Sequence, residues 1–177
     1  SAMTFMIGIG LGVAAMVRVG NQKGLSDFVS LRRIAFSIFL LVILIEIVFA
    51  FMFFTLRDWL PTLYLDTENV AKLAENQEVI LIASELLIIV ALFQIFDGLQ
   101  VVILGALRGM QDVKIPTIMT FIAYWLIGFP ICYYLGLYTP LKSTGIWIGL
   151  LFGLASASVM LYLRFNYLTK KLIHNDN

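Results

Sequence analysis

Five apolar runs of bilayer length divide this chain, and they restrict its fold more than any other feature. With a window of about twenty apolar residues, the runs fall at about 1–19, 34–56, 79–107, 116–137 and 145–168. Inside a bilayer every backbone N–H and C=O must find a partner within the protein, so single spans of this length are helices. Only 13% of the residues are charged and 61% are hydrophobic, whereas a soluble domain carries about 25% charged residues. The chain therefore reads as an all-α membrane protein with five transmembrane helices. A net charge of +1 offers no basic face for nucleic acid. The single cysteine, Cys132, lies in an apolar segment with no intrachain partner, and so says nothing about redox compartment.

The breaks between the runs are legible too. RVGNQKGLSDFVSLRR is polar and basic, and RDWLPTLYLDTENVAKLAENQE is polar and acidic. RGMQDVKIP is short, GLYTPLKSTG is a Gly/Pro turn and KKLIHNDN is a polar tail. Pro116 suits a first helical turn. The acidic stretch holds Asp58, Asp66, Glu68, Glu75 and Glu78, with Trp59 and Tyr64 at interface depth. It reads as a solvated loop, with Asp66 or Thr67 placed to cap the helix that follows.

Orientation follows from the basic residues. Arg18, Lys23, Arg32, Arg33, Arg108, Lys114, Arg164, Lys170 and Lys171, nine of the twelve, fall on one side; Arg57, Lys72 and Lys142 fall on the other. The excess of Lys and Arg in cytoplasmic loops then puts the C-terminus in the cytoplasm and the N-terminus outside, in a plasma or inner membrane. The chain opens directly on an apolar run, without a basic leader or a small-residue cleavage pattern, so its start is read as a cut at or near the beginning of a helix.

Membrane helices associate through small residues that let backbones approach. The first span offers Gly8, Gly12 and Ala15 on one side and Gly10 and Ala14 on another. The last has Gly145, Gly149, Gly153 and Ala157, spaced by four. In the third, Ser84, Ala91, Gly98 and Gly105 recur every seven residues, on a face about 100° around the helix from Asp97. Gly128 and Pro130 in the fourth span predict a kink, since an interior proline removes a backbone bond and crowds the preceding turn. Tyr124 and Trp125 lie deep enough in that span to line a cavity for an aromatic or cationic ligand.

Three acids fall inside spans, where a charge costs several kcal/mol and marks an ion or substrate pathway. Asp97 lies eleven residues outward of Arg108, about 16 Å along the axis and so at mid-bilayer. Gln94 and Gln100 stand three residues either side of it, making one polar patch about 120° wide. A buried acid of this kind is either protonated or binds a cation, and either state allows exchange of a proton or sodium ion for another cation. Glu46, near the centre of the second span, is a secondary candidate. Glu85, about 18 Å further out than Asp97, is the weakest of the three.

No catalytic signature is present. The one histidine, His174, is in the polar tail, and there is no phosphate loop, metalloprotease motif or nucleophile elbow. GIGLGVA in the first span matches a dinucleotide fingerprint in letters only, because it lacks the strand–helix context. The chain is not expected to be an enzyme or to hold a catalytic metal or cofactor.

MVRVGNQKG at 16–24, FQIFDGLQVVILGALRGMQDVKIPT at 93–117 and YWLIGFP at 124–130 resemble the helix-closing signature, the tenth helix and the eleventh helix of the multidrug and toxic compound extrusion transporters. The resemblance runs over essentially the whole chain. It implies a fold of twelve helices in two six-helix lobes, of which residues 1–177 are helices eight to twelve, a partial C-terminal lobe. It implies a secondary active antiporter that exports drugs and organic cations in exchange for sodium or protons. Asp97 would be the coupling residue and, in a sodium-coupled member, a sodium ligand. A second acid on the seventh helix would share its site, and the N-terminal lobe and membrane lipids would be its other partners. Two alternatives stand beside this: a lipid or lipid-linked glycan flippase of the same superfamily, and a non-transporting membrane subunit. The first is disfavoured because no basic residue lies mid-span.

Overall fold

A computed structural model describes residues 2–56 and 73–176, with side chains at 4–56, 84 and 86–175 except 142. Asp58, Trp59, Tyr64, Asp66, Thr67 and Glu68 lie outside the described residues, as do the side chains of Glu75, Glu78 and Glu85.

The described chain is helical throughout: α1 Ala2–Gly24, α2 Phe28–Thr55, α3 Leu73–Gly109, α4 Lys114–Ile122, a π-helical segment Ala123–Gly128, α5 Phe129–Leu137 and α6 Lys142–Asp176. The three pieces from Lys114 to Leu137 form one continuous span, so five segments are long and apolar enough to cross a membrane. The protein is all-α and multi-pass, as its apolar runs require.

The helices extend past the apolar runs at their polar ends. RVGNQKG is the last two turns of α1, and only Leu25–Asp27 separates it from α2. Ser26 makes that corner with φ at 58°, and the Asp27 carboxylate caps α2 by accepting from the Ser30 N–H at 3.0 Å. The polar tail is likewise the last turns of α6. Hydropathy reports the thickness of the apolar layer, whereas a helix continues wherever its residues favour it. Lys is a good helix former and suits the negative end of the helix dipole.

α3 is the central element, packed against α1, α2 and α6. α1 runs parallel to it, with Gly8 against Gly98, Gly12 against Val101 and Gly20 against Gly109. Of the two small-residue faces in α1, Gly8, Gly12 and Ala15 are buried, while Gly10 and Ala14 are exposed. At Gly105 an added methyl group would overlap the carbonyl oxygen of Gly12. At Gly98 and Gly105 the heptad stripe of α3 is thus a backbone-to-backbone seam of the kind that small residues permit. On α6, Gly145 faces Leu135, Gly149 faces Cys132 and Gly153 faces Gly128, so the glycines spaced by four form the seam with the fourth span. A core of Ala15, Leu31, Phe39, Ile103, Leu107 and Phe165 fills the space between α1, α2, α3 and α6. The Phe39 and Phe165 rings meet edge to face at 5.2 Å.

At the Gly128–Pro130 position, the structure contains a π-helical segment. The Phe129 N–H bonds to the carbonyl of Tyr124, five residues back. Proline cannot donate, and its ring crowds the carbonyl four residues earlier. A wider turn placed just before it relieves that crowding, and such π segments are frequent at functional positions.

Candidate functional site

The polar patch of α3 divides between its neighbours, because its members point 60° either side of Asp97. Gln94 turns to α2, where its Nε2 donates to the Glu46 carbonyl at 3.3 Å. Gln100 turns to the π-helical segment, where the Tyr124 hydroxyl donates to its Oε1 at 2.9 Å. Both glutamines are buried. Asp97 lies between them, half-buried, and within electrostatic range of both the Glu46 carboxyl and the Tyr124 hydroxyl. Among the described residues nothing donates a hydrogen bond to it.

Glu46 has become a member of this cluster. Its side chain is only 1% exposed and lies on Gly98, so close that a methyl group there would sit 2.7 Å from Oε1. Gly98 follows Asp97 in the chain, and Gln94 is one turn before it, so Glu46 spans the α3 face adjoining the acid. Two oxygens here are buried without a hydrogen-bond partner, Oε2 of Glu46 and Oε1 of Gln94. Each such group costs about 1–3 kcal/mol if left unsatisfied. A proton or a cation would supply what both lack.

The aromatic pair of the fourth span is separated. Tyr124 belongs to the cluster, whereas Trp125 is 59% exposed and stacks between Phe121 and Phe129, with centroids 5.8 Å from each. Consecutive helical residues point about 100° apart, and here that turns Tyr124 toward α3 and Trp125 toward the outside of the bundle. Two contributors escape a reading of the sequence. Gly98 looks only like a packing residue, and Ser158 of α6, buried among apolar neighbours, donates to the Phe96 carbonyl at 3.0 Å. The shared mid-span depth of Glu46 and Asp97 was the one available sign of their association. A separate groove of about 410 Å³ between α2, α3 and α6, lined by Phe36, Phe39, Ile43, Phe96, Leu99 and Tyr162, is apolar and holds none of these acids.

The MatE family model matches residues 1–134. The chain is 36% identical over 171 residues to a probable multidrug resistance protein NorM of Agrobacterium fabrum, covering 97% of this chain and 36% of that protein. It is 38% identical over 170 residues to a probable multidrug resistance protein NorM of Rhodopseudomonas palustris, covering 96% and 35%. With the multidrug resistance protein NorM of Photobacterium profundum it shares 34% identity over 172 residues, covering 95% and 36%. The chain spans about a third of the length of the curated relatives it matches. A helical bundle with a polar patch on its central span, matched by the family model over most of its length, belongs to the MatE family.

Proposed function

We propose that this chain is part of a secondary active multidrug efflux transporter, helices eight to twelve of a twelve-helix antiporter in the inner membrane. The observation that carries the reading is Asp97: a half-buried carboxylate without a described donor, between two buried glutamines, in a chain of the MatE family. The names of the relatives, multidrug resistance proteins, support drug-like substrates.

Asp97 binds a sodium ion or a proton when the cleft is open to the outside. The bound cation neutralises the carboxylate and lowers affinity for an organic cation at or beside the site, so the drug is released outside. Gln94, Gln100 and Tyr124 hold the acid's surroundings in place. The membrane potential contributes about 2.3 kcal/mol per charge per 100 mV. Alternating access comes from rocking of two lobes around the site. The gathering of Lys23, Arg32 and Arg164 at one end of the bundle supports a cytoplasmic assignment for that end, and hence for the C-terminus. The test is ethidium efflux from cells by the full-length transporter, with and without Asp97→Asn. Unchanged efflux in the variant removes Asp97 from the mechanism, and absence of efflux of any organic cation by the wild type removes the antiporter reading.

A further inference from the structure

Two cavities of opposite chemistry meet at Arg164. One, of about 310 Å³, lies at the basic end of the bundle and is lined by Lys23, Gln111, Asp112, Arg164 and Lys171 among others. The other, of about 300 Å³, is lined by Met119, Met160, Leu163, Arg164 and Tyr167 and is otherwise apolar. Met160 is one turn before Arg164, about 6 Å nearer the bilayer centre. The paired cavities therefore run from the level where the helices leave the apolar layer into that layer, along the α4–α6 seam.

Charge in the polar cavity is not balanced. Among the described residues Asp112 is its only acid, and it is engaged by Arg164, whose Nε stands 2.9 Å from Oδ2. That contact uses one of the five guanidinium donors. Lys23 spends its ammonium on neutral acceptors, the Met110 carbonyl at 2.6 Å and Gln111 Oε1 at 3.1 Å. Among the described residues neither Lys23 nor Lys171 is ion-paired. Among the described residues, three cations against one acid leave the cavity positive. Beside it, Arg164 lies 6.0 Å from the centre of the Tyr167 ring, an amphipathic pair at the boundary of the two cavities. Two methionines give the apolar groove adaptable walls.

We infer that this is a binding site for an anionic phospholipid, its phosphate held by Lys23, Arg164 and Lys171 and one acyl chain lying along Met119, Met160 and Leu163. A free phosphate ion would use the polar cavity alone. The apolar groove that shares Arg164 is what selects a lipid, and the unbalanced positive charge is what selects an anionic one. The inference goes beyond the transport reading and does not depend on it.

The test is retention of lipid by the purified protein in detergent, counted by native mass spectrometry. Phosphatidylglycerol and phosphatidylcholine with identical chains are offered at equal concentration, and inorganic phosphate is offered separately. Phosphatidylglycerol should be retained over phosphatidylcholine by about fivefold or more, the effect of one basic residue at a membrane surface. Lys171→Gln, at an exposed position, should cut phosphatidylglycerol retention about fivefold and leave phosphatidylcholine unchanged. Met160→Trp, which fills the groove, should reduce both lipids. Equal retention of the two lipids overturns the inference. So does displacement of phosphatidylglycerol by an equal concentration of inorganic phosphate, or a Met160→Trp protein that retains it undiminished.

Discussion

Gly98 of α3 and Glu46 of α2 meet so closely that a methyl group on Gly98 would lie 2.7 Å from the Glu46 carboxylate oxygen. The glycine thus does two things. It continues the seam along α3, and it leaves room for a buried acid next to Asp97.

The two glycines of the heptad stripe should respond differently to substitution. At Gly105 an added methyl meets the backbone of Gly12, which cannot move without parting α1 from α3, whereas at Gly98 it meets the far end of a flexible side chain. Overpacking a rigid contact costs about 1–3 kcal/mol, while Gly→Ala within a helix gains about 1 kcal/mol. Gly105→Ala should therefore be clearly destabilised and Gly98→Ala near neutral, as read by thermal unfolding in detergent. Equal losses at the two positions would show that the seam is not the discriminating feature.

Glu46 should tolerate an amide better than a hydrocarbon. Glu46→Gln removes an ionisable group and supplies N–H donors where Oε2 of Glu46 and Oε1 of Gln94 are unpartnered. One satisfied hydrogen bond is worth about 1 kcal/mol, so the unfolding midpoint should rise. Glu46→Leu leaves Gln94 Oε1 as unpartnered as it is in the wild type and supplies no donor, so it should lack the gain seen in Glu46→Gln. A midpoint that falls in both variants would mean that the carboxylate itself holds the helices together.

At the α1–α2 corner, hydrogen bonds from Ser30, hydroxyl first and backbone N–H second, hold the Asp27 carboxyl below its ordinary value. A folded value below the unfolded one makes the cap's contribution complete above the unfolded pKa, about 3.9, and removes it as pH falls through the folded value. The stability difference between the wild type and Asp27→Ala should be level from neutral pH to about pH 5 and close below about pH 4. Midpoints measured across that range test this. A difference that widens on acidification would contradict it.

Much of this architecture is visible in the letters of the chain, for a physical reason. Apolar runs must be helices in lipid, so the five spans follow from local pattern, whereas the two small-residue faces of α1 read alike and only packing against α3 buries Gly8 and Gly12 and leaves Gly10 and Ala14 exposed. Asp97 stands out because an acid in an apolar run is expensive wherever it points. What the letters do not contain is rotation. Whether Glu46 turns toward α3, and whether Tyr124 or Trp125 joins Gln100, depends on how helices distant in sequence settle against one another. The π-helical segment is hidden too: glycine and proline announce a disturbance but not its form, and Gly128 also packs closely on Gly153 of a distant helix.

The most direct measurement of Asp97's role is ethidium transport by the full-length protein in proteoliposomes, driven by an imposed sodium or proton gradient. The wild type should transport in response to at least one of the two gradients. In Asp97→Asn that response should fall by at least about fivefold, the lower end of ordinary coupling energies, while ethidium still binds. A gradient-driven rate in Asp97→Asn equal to that of the wild type would contradict the coupling role given to Asp97.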